Sequence, residues 1–386
     1  MSKTHSKTII LAAGGTGGHI FPAEALAEVL ISRGYAPQLI TDHRFHDYNK
    51  SSADGVLGRI GIHTIRAGSP SGGIIKIVSN SVGLFIGTVQ AVAHLRRIKP
   101  AAVVGFGGYP SFPTMVAAIL TGTTTIIHEQ NSVLGRANRM LARFVTHVAV
   151  SYRHTQHMPN KARMKTTRTG NPVRAAIRAL SHIEYPTIEQ DGMLKVLVIG
   201  GSQGASVFSD ILPKAFEKLS PQLRARVRLD QQCRVREIEQ AKAAYQAIGM
   251  QVDIAPFFSD VAARMAGAHL VISRAGASSV AELTAAGRPA ILVPLPAATD
   301  NHQYYNAEAV EDVGGGWVMS QEGFTPDSLA AKLETFLRVP KTLAEAAEHI
   351  KPLGQPDAAD GLANLVLNVA GMESIPSELE VLESAA

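Results

Sequence analysis

The sequence predicts two doubly wound α/β domains in tandem, and three observations predict it. Short, wholly apolar runs alternate along the chain with helix-spaced segments, which is the pattern of parallel strands covered on both faces. The order strand, glycine-rich loop, helix occurs twice, once from residue 8 and again from residue 194. The length of 386 residues exceeds what a single hydrophobic core normally supports.

Taken in order, residues 8–12 (TIILA) read as a buried strand, residues 22–32 as a helix and residues 38–41 as a second strand. AAVVG at 101–105 and TTIIH at 124–128 continue the series, with helices expected over 111–120 and 133–142. Residues 180–192 are polar and aperiodic, a linker pattern. The series restarts with LKVLVIG (194–200), GGSQGA (200–205) and a helix, and strands follow at 225–229, 251–255, 270–273 and 290–294. The expected division is a first domain over 1–178, a linker over 179–192 and a second domain over 193–357. A final helix over 358–370 would pack back on the first domain, ahead of a mobile tail over 371–386.

Composition narrows the function classes. A chain that is 46% apolar and 18% charged reads as soluble and globular. Its single Cys233 excludes an intrachain disulfide and fits a reducing cytosol. The apolar run at 8–13 is too short for a signal-peptide core, and no run reaches the ~18 residues of a membrane span. Charge is strongly polarised: residues 1–180 hold 21 Lys and Arg against 6 Asp and Glu, and the remainder holds 16 against 26. A basic first half predicts an anionic partner, either a phosphorylated substrate or an anionic membrane surface. Nucleic acid is disfavoured, because the basic residues are not interleaved with aromatics.

GGTGGHIFPA at 14–23 places four glycines in five positions before a histidine. Such a loop is either a tight turn or a place where a phosphate meets main-chain N–H groups at a helix start. In a doubly wound sheet it would lie at the carboxyl ends of the strands, and two such domains would face their loops onto a shared cleft. The dinucleotide fingerprint fails at Ile20, although Asp42 is suitably placed, and the NTPase phosphate loop is absent. No Asp-x-Asp occurs, so charge stabilisation by helix N-termini is expected, with no metal and no cofactor. His43 and His46 read as polar-loop residues rather than metal ligands.

Seven segments together carry a family resemblance. GGTGGHIFPA (14–23), GFGGYPSFP (105–113), HEQNSVLGRANR (128–139), GNPVR (170–174), GGSQGA (200–205), SRAGASSVAEL (273–283) and DNHQYYNA (300–307) span about 300 residues in order. They resemble the MurG family of bacterial peptidoglycan glycosyltransferases. The resemblance implies the two-domain, Rossmann-like GT-B fold. It also implies inverting transfer of N-acetylglucosamine from UDP-N-acetylglucosamine to the C4 hydroxyl of lipid I, undecaprenyl-pyrophosphoryl-MurNAc-pentapeptide. The implied location is peripheral, on the cytoplasmic face of the cell inner membrane, with cell-wall synthesis proteins as further partners.

The resemblance assigns Thr16, Gly17, Gly18 and Asn131 to the donor sugar and adds Arg174 and Ser202 as donor contacts. It gives Phe258 to the uracil through its backbone, the segment Ala277, Ser278, Ser279, Val280, Ala281 and Glu282 to the nucleotide and phosphates, and Gln303 to the sugar hydroxyls. Glu282 would accept both ribose hydroxyls; its alternative is favourable placement near a helix N-terminus. Gln303 has the alternative of an ordinary surface amide. Where relatives commonly have His-Gln-Ser-Gly, this chain has Asp230, Gln231, Gln232 and Cys233, so no nucleotide contact is carried over from the resemblance there.

Inversion by one displacement needs a base for the acceptor hydroxyl. His19, after the glycine loop at a helix N-terminus, is the first candidate and Glu129 the second. His19 has the alternative of a loop-ordering hydrogen bond, and Glu129 that of positioning Asn131. Residues 72–99 carry apolar side chains at steps of three and four, bracketed by Lys76, Arg96, Arg97 and Lys99. They read either as a core-packed helix pair or as a membrane-surface element. Two other functions stay open: a UDP-N-acetylglucosamine 2-epimerase, which would need carboxylates at the donor ring, and a nucleotide-sugar sensor without turnover.

Overall fold

The computed structural model of the chain describes residues 7–14, 17–43, 55–67, 74–189, 191–200 and 205–372. Thr16, His46, Ser202 and the tail from residue 373 lie outside the described residues. The chain divides into two compact units, residues 1–174 with 357–386, and residues 175–356.

The first unit is built on β1 (Thr8–Ala12), whose five residues alternate between two covered faces. Ile9 and Leu11 enter one core with Ile20, Leu26 and Leu30 of α1 (Gly17–Ser32), whereas Ile10 enters a second core on the opposite face. This double burial is why residues 9–12 are apolar in succession rather than at alternate positions. The parallel sheet runs β3-β2-β1-β4-β5-β6-β7. Its other strands are β2 (Ala36–Thr41), β3 (Gly61–Thr64), β4 (Ala102–Gly105), β5 (Thr124–Glu129), β6 (His147–Val150) and β7 (Thr166–Arg168). The helices between them are α2 (Ile74–Ile98), α3 (Gly108–Leu120), α4 (Arg136–Leu141) and α5 (Asn160–Arg163). The strand order reverses between β1 and β4, with Ile10 in register with Gln38 on one side and Val103 on the other. Ligands of doubly wound sheets bind outside the carboxyl ends of the strands at this point.

Helices α1 and α3 start earlier than the expected residues 22 and 111. Pro22 and Pro113 lie inside them, and the first turns are formed by Gly17 and Gly18 and by Gly108 and Tyr109. His19 therefore sits in the first turn of α1.

The second unit repeats the plan, with order β10-β9-β8-β11-β12-β13. It opens with α6 (Ala175–Arg178), followed by β8 (Leu194–Ile199), α7 (Ser206–Lys218), α8 (Pro221–Arg224), β9 (Val227–Gln232), α9 (Ile238–Ala247) and β10 (Val252–Ala255). Then come α10 (Val261–Gly267), β11 (Leu270–Ser273), α11 (Ala277–Ala286), β12 (Ala290–Leu292), α12 (His302–Glu311), β13 (Gly316–Val318), α13 (Pro326–Arg338) and α14 (Lys341–Ile350). The segment read as a linker is tied into this unit. The Tyr185 hydroxyl donates to the His269 carbonyl at 2.9 Å, and the buried Arg288 donates to the Glu184 carbonyl at 3.4 Å.

The last described helix, α15 (Ala358–Val369), belongs to the first unit. Leu362, Val366 and Leu367 complete the core beneath α1, each side chain contributing on the order of 1.5–3 kcal/mol by burial. Arg33, buried at the end of α1, donates to Asp360 at 2.6 Å and to Asn364. Removing one partner of such a buried pair typically costs about 3–5 kcal/mol, so this clasp fixes the helix in place.

Helix α2 is a single 25-residue helix. Its buried side in the described part is made by Gly87, Ala91 and Leu95. A Cβ at Gly87 would overlap the Arg66 carbonyl oxygen, so the glycine permits a backbone contact rather than interrupting the helix. The apolar stripe Val82, Phe85 and Val89 points outward and is 53–71% exposed.

Candidate active site

In the first unit the site is assembled at the carboxyl ends of β1, β4 and β5. Gly107 and Gly108 follow β4 with φ of +83° and +73°, a conformation that favours glycine. A Cβ on Gly108 would lie 3.2 Å from His19 Cδ2 and 3.3 Å from His19 Nε2, so the imidazole packs directly on bare backbone. Gly17 is buried and Gly18 half-buried in the same first turn.

His19 Nδ1 lies 3.3 Å from Gln130 Oε1. The Gln130 amide nitrogen donates to the Phe106 carbonyl (2.9 Å), the His128 carbonyl (3.2 Å) and His128 Nδ1 (3.0 Å). His128 Nε2 in turn donates to the Gly170 carbonyl at 2.8 Å. Burial pushes the His128 pKa down to about 4, so its ring is neutral at physiological pH.

Glu129 is buried at the end of β5 and receives four donors. Its Oε1 accepts from the Asn131 backbone N–H and side-chain amide, both at 3.1 Å. Its Oε2 accepts from the Gly135 N–H (2.8 Å) and the Asn138 side-chain amide (2.9 Å). A carboxylate has about four acceptor sites, so this one is saturated by the loop it orders. Asn131 is half-buried within that loop, and Arg174 stands over the Phe21 ring of α1 with Cζ 5.1 Å from its centroid.

In the second unit the corresponding site lies where β11 turns into α11, next to β8. Gly276 caps α11, whose first turn is Ala277, Ser278 and Ser279. This ten-residue helix presents its N-terminal N–H groups at the carboxyl end of the sheet. The Ser278 hydroxyl is buried and has no hydrogen-bond partner among the described residues. Val280 and Glu282 are buried and Ala281 is half-buried. The loop is pinned from outside: Arg274 donates to the Val293 and Pro294 carbonyls (3.1 and 3.3 Å) and to Gln321 (2.6 Å), and Asn306 donates to the Ala275 carbonyl (3.1 Å). Burial lowers the Arg274 pKa.

Gln303 Oε1 accepts from the Leu295 N–H at 3.0 Å. It sits in the first turn of α12, after Asp300 and Asn301, both left-handed at φ of 51° and 54°. Asp and Asn tolerate this conformation better than other side chains. The Phe258 ring is buried beneath Arg264, whose Cζ is 4.0 Å from the ring centroid, so the backbone is the part of Phe258 left to contact a ligand. Arg264 bridges Asp230 (3.1 Å), Asp253 (2.6 Å) and Asp260 (2.9 Å). The divergent segment 230–233 is thus absorbed into packing: Asp230 holds Arg264, Gln231 accepts from the Tyr245 hydroxyl and Cys233 sits 3.2 Å from the Ser209 hydroxyl.

Beside the expected His19, Glu129, Asn131, Phe258, Glu282 and Gln303, the site is held together by Gln130, His128, Asn138, Arg274 and Asn306, none of which carries a role in the family resemblance above. All five stand inside the quoted motif segments, which was the available signal.

Residues 9–150 match the glycosyltransferase family 28 N-terminal domain, and residues 195–362 match the glycosyltransferase family 28 C-terminal domain. The UDP-N-acetylglucosamine--N-acetylmuramyl-(pentapeptide) pyrophosphoryl-undecaprenol N-acetylglucosamine transferase of Paramagnetospirillum magneticum is 49% identical over 96% of this chain and 99% of its own length. The Zymomonas mobilis enzyme of the same name is 41% identical over 98% of this chain and 96% of its own. The chain belongs to the MurG family. The crystal structure of Acinetobacter baumannii MurG superposes with a TM-score of 0.74 at 29% identity, covering 94% of this chain and 99% of that one. The GT-B fold expected from the sequence is thereby shown. The Neisseria meningitidis UDP-GlcNAc 2-epimerase, solved with UDP-GlcNAc, shares the fold at a TM-score of 0.64 but only 13% identity. That likeness is one of fold, and it lends the epimerase reading no chemical support.

Proposed function

We propose that this chain transfers N-acetylglucosamine from UDP-N-acetylglucosamine to the C4 hydroxyl of lipid I, with inversion, as an enzyme of peptidoglycan synthesis. The observation that carries the reading is the 49% identity along 99% of a transferase named for this donor and acceptor.

His19 is the base. As the acceptor oxygen attacks the anomeric carbon, the bond from that carbon to the diphosphate breaks and the hydroxyl proton passes to Nε2 of His19. Glu129, saturated by four donors, positions Asn131 and the loop from 131 to 138. In the second unit, the main-chain N–H groups at the start of α11 and the Ser278 hydroxyl meet the negative charge that develops on the leaving diphosphate. Glu282 accepts the ribose hydroxyls, the Phe258 backbone reads uracil and Gln303 contacts the donor sugar. No metal or cofactor enters this reading.

The membrane surface is the second partner. Among the described residues, no helix is long and apolar enough to cross a membrane. The outward stripe Val82, Phe85 and Val89 instead seats on the cytoplasmic face of an anionic inner membrane, with Arg96, Arg97 and Lys99 supplying charge attraction.

The test is product analysis. With UDP-N-acetylglucosamine and a lipid I analogue, the acceptor should gain one N-acetylhexosamine in β linkage. An unmodified acceptor, or an α linkage, would overturn the reading.

A further inference from the structure

We propose that Gln130 is a positioning residue that holds the His19 imidazole as its Nδ1–H tautomer, so that the lone pair resides on Nε2. The inference rests on reading His19 as the base. Its logic starts from groups that have no choice. The Gln130 amide has two main-chain carbonyls on one side, those of Phe106 at 2.9 Å and His128 at 3.2 Å, and a carbonyl oxygen can only accept. The NH2 must therefore face them. Oε1 is then the atom turned to His19 Nδ1 at 3.3 Å, and since an amide oxygen also only accepts, Nδ1 must carry the hydrogen.

A second histidine locks the amide from behind. The Gly170 carbonyl, 2.8 Å from His128 Nε2, requires the hydrogen on that nitrogen, which leaves His128 Nδ1 as an acceptor for Gln130 Nε2 at 3.0 Å. A protonated His128 would turn an N–H toward the Gln130 NH2 and break the chain. Its burial keeps it neutral, and this also avoids a second positive charge behind His19 once His19 has taken a proton. The Gln130 side chain itself is 1% exposed, so water does not compete for these bonds.

The consequence is chemical. A neutral histidine side chain without such a partner favours the Nε2–H tautomer, which would offer the nucleophile a donor instead of a base. With Nδ1–H held by Gln130, deprotonation of the acceptor breaks its O–H bond and forms N–H at Nε2. Gln130 Oε1 then accepts a charge-assisted bond from the imidazolium.

The tautomer is measured directly in long-range ¹H–¹⁵N spectra of the full chain labelled with ¹⁵N-histidine, above the histidine titration range, with His19 assigned by its loss in His19→Ala. The expected pattern is a protonated Nδ1 and an unprotonated Nε2; a majority Nε2–H form in the unmutated protein overturns the proposal. In Gln130→Met the ring should shift toward Nε2–H, and kcat at saturating substrates should fall roughly tenfold or more. Donor KM should stay within about twofold. Because Gln130 acts through His19, the double variant should be no slower than His19→Ala alone. Losses that multiply, or a Gln130→Met protein with unchanged tautomer and kcat, overturn the proposal. If His19→Ala keeps its kcat, the base assignment falls, while the spectra still decide the tautomer.

Discussion

Replacing Gly108 with alanine isolates the contribution of bare backbone to the site, because the same molecule contains a matched control. Gly108 and Gly122 have nearly the same positive φ, +73° and +69°, but a Cβ on Gly122 meets nothing within 4 Å, whereas a Cβ on Gly108 meets the His19 ring at 3.2–3.3 Å. Both substitutions incur the left-handed cost of a side chain, roughly 1–2 kcal/mol. Each should therefore lower Tm by several degrees, at about 2–4 °C per kcal/mol for units of this size. Only Gly108→Ala pushes the imidazole, by a few tenths of an ångström, away from a Gln130 contact that is already 3.3 Å long. The expected result is a Tm loss common to both variants and a kcat loss of about tenfold or more confined to Gly108→Ala. The assay is thermal unfolding paired with steady-state kinetics at saturating acceptor. Equal kcat in the two variants would refute the claim that Gly108 seats the His19 ring.

Three further outcomes are expected. His19→Ala should lower kcat by roughly 10²-fold or more with donor affinity changed far less, and near-normal kcat at saturating acceptor would make His19 structural. Glu282→Ala should raise donor KM severely without unfolding the protein, because it strands two ribose hydroxyls; an unchanged KM removes Glu282 from the site. Binding to anionic vesicles should fall steeply with salt and drop about tenfold or more in Phe85→Ser, whose ring is 71% exposed; binding indifferent to both would return α2 to a purely structural role.

Acid stability follows from His128. Its folded pKa of about 4 lies below the ordinary 6.5, so between these values the unfolded chain binds more protons than the folded one. Stability is thus full above about 6.5 and declines as pH falls toward 4, by an amount of order 3 kcal/mol. Chemical denaturation at stepped pH should show a shallower decline for His128→Gln, and an identical slope would contradict the burial argument.

The central strands were legible because double burial demands consecutive apolar residues, and β1 and β8 supply them as IILA (9–12) and VLVI (196–199). The edge strands β3 and β7 were not, since GIHT and TTR are partly exposed and carry no such run. The first turn of α1 is hidden in the sequence by glycines that ordinarily disfavour helix, and the helical pattern becomes visible only from Pro22. Within the site, the motif residues were legible as a set, but the partner of His19 lies 111 positions away, and no local spacing connects the two. The outward stripe of α2 illustrates the same limit. Periodicity shows that a face is apolar, and only the packing of Gly87 and Ala91 shows that the opposite side is the buried one.

The most direct test of the account is UDP release from UDP-N-acetylglucosamine, measured with and without a lipid I analogue. The expected result is UDP formation that depends on the acceptor and matches, mole for mole, the N-acetylglucosamine gained by it. UDP or an epimerised sugar released at the same rate without acceptor would contradict the transferase account.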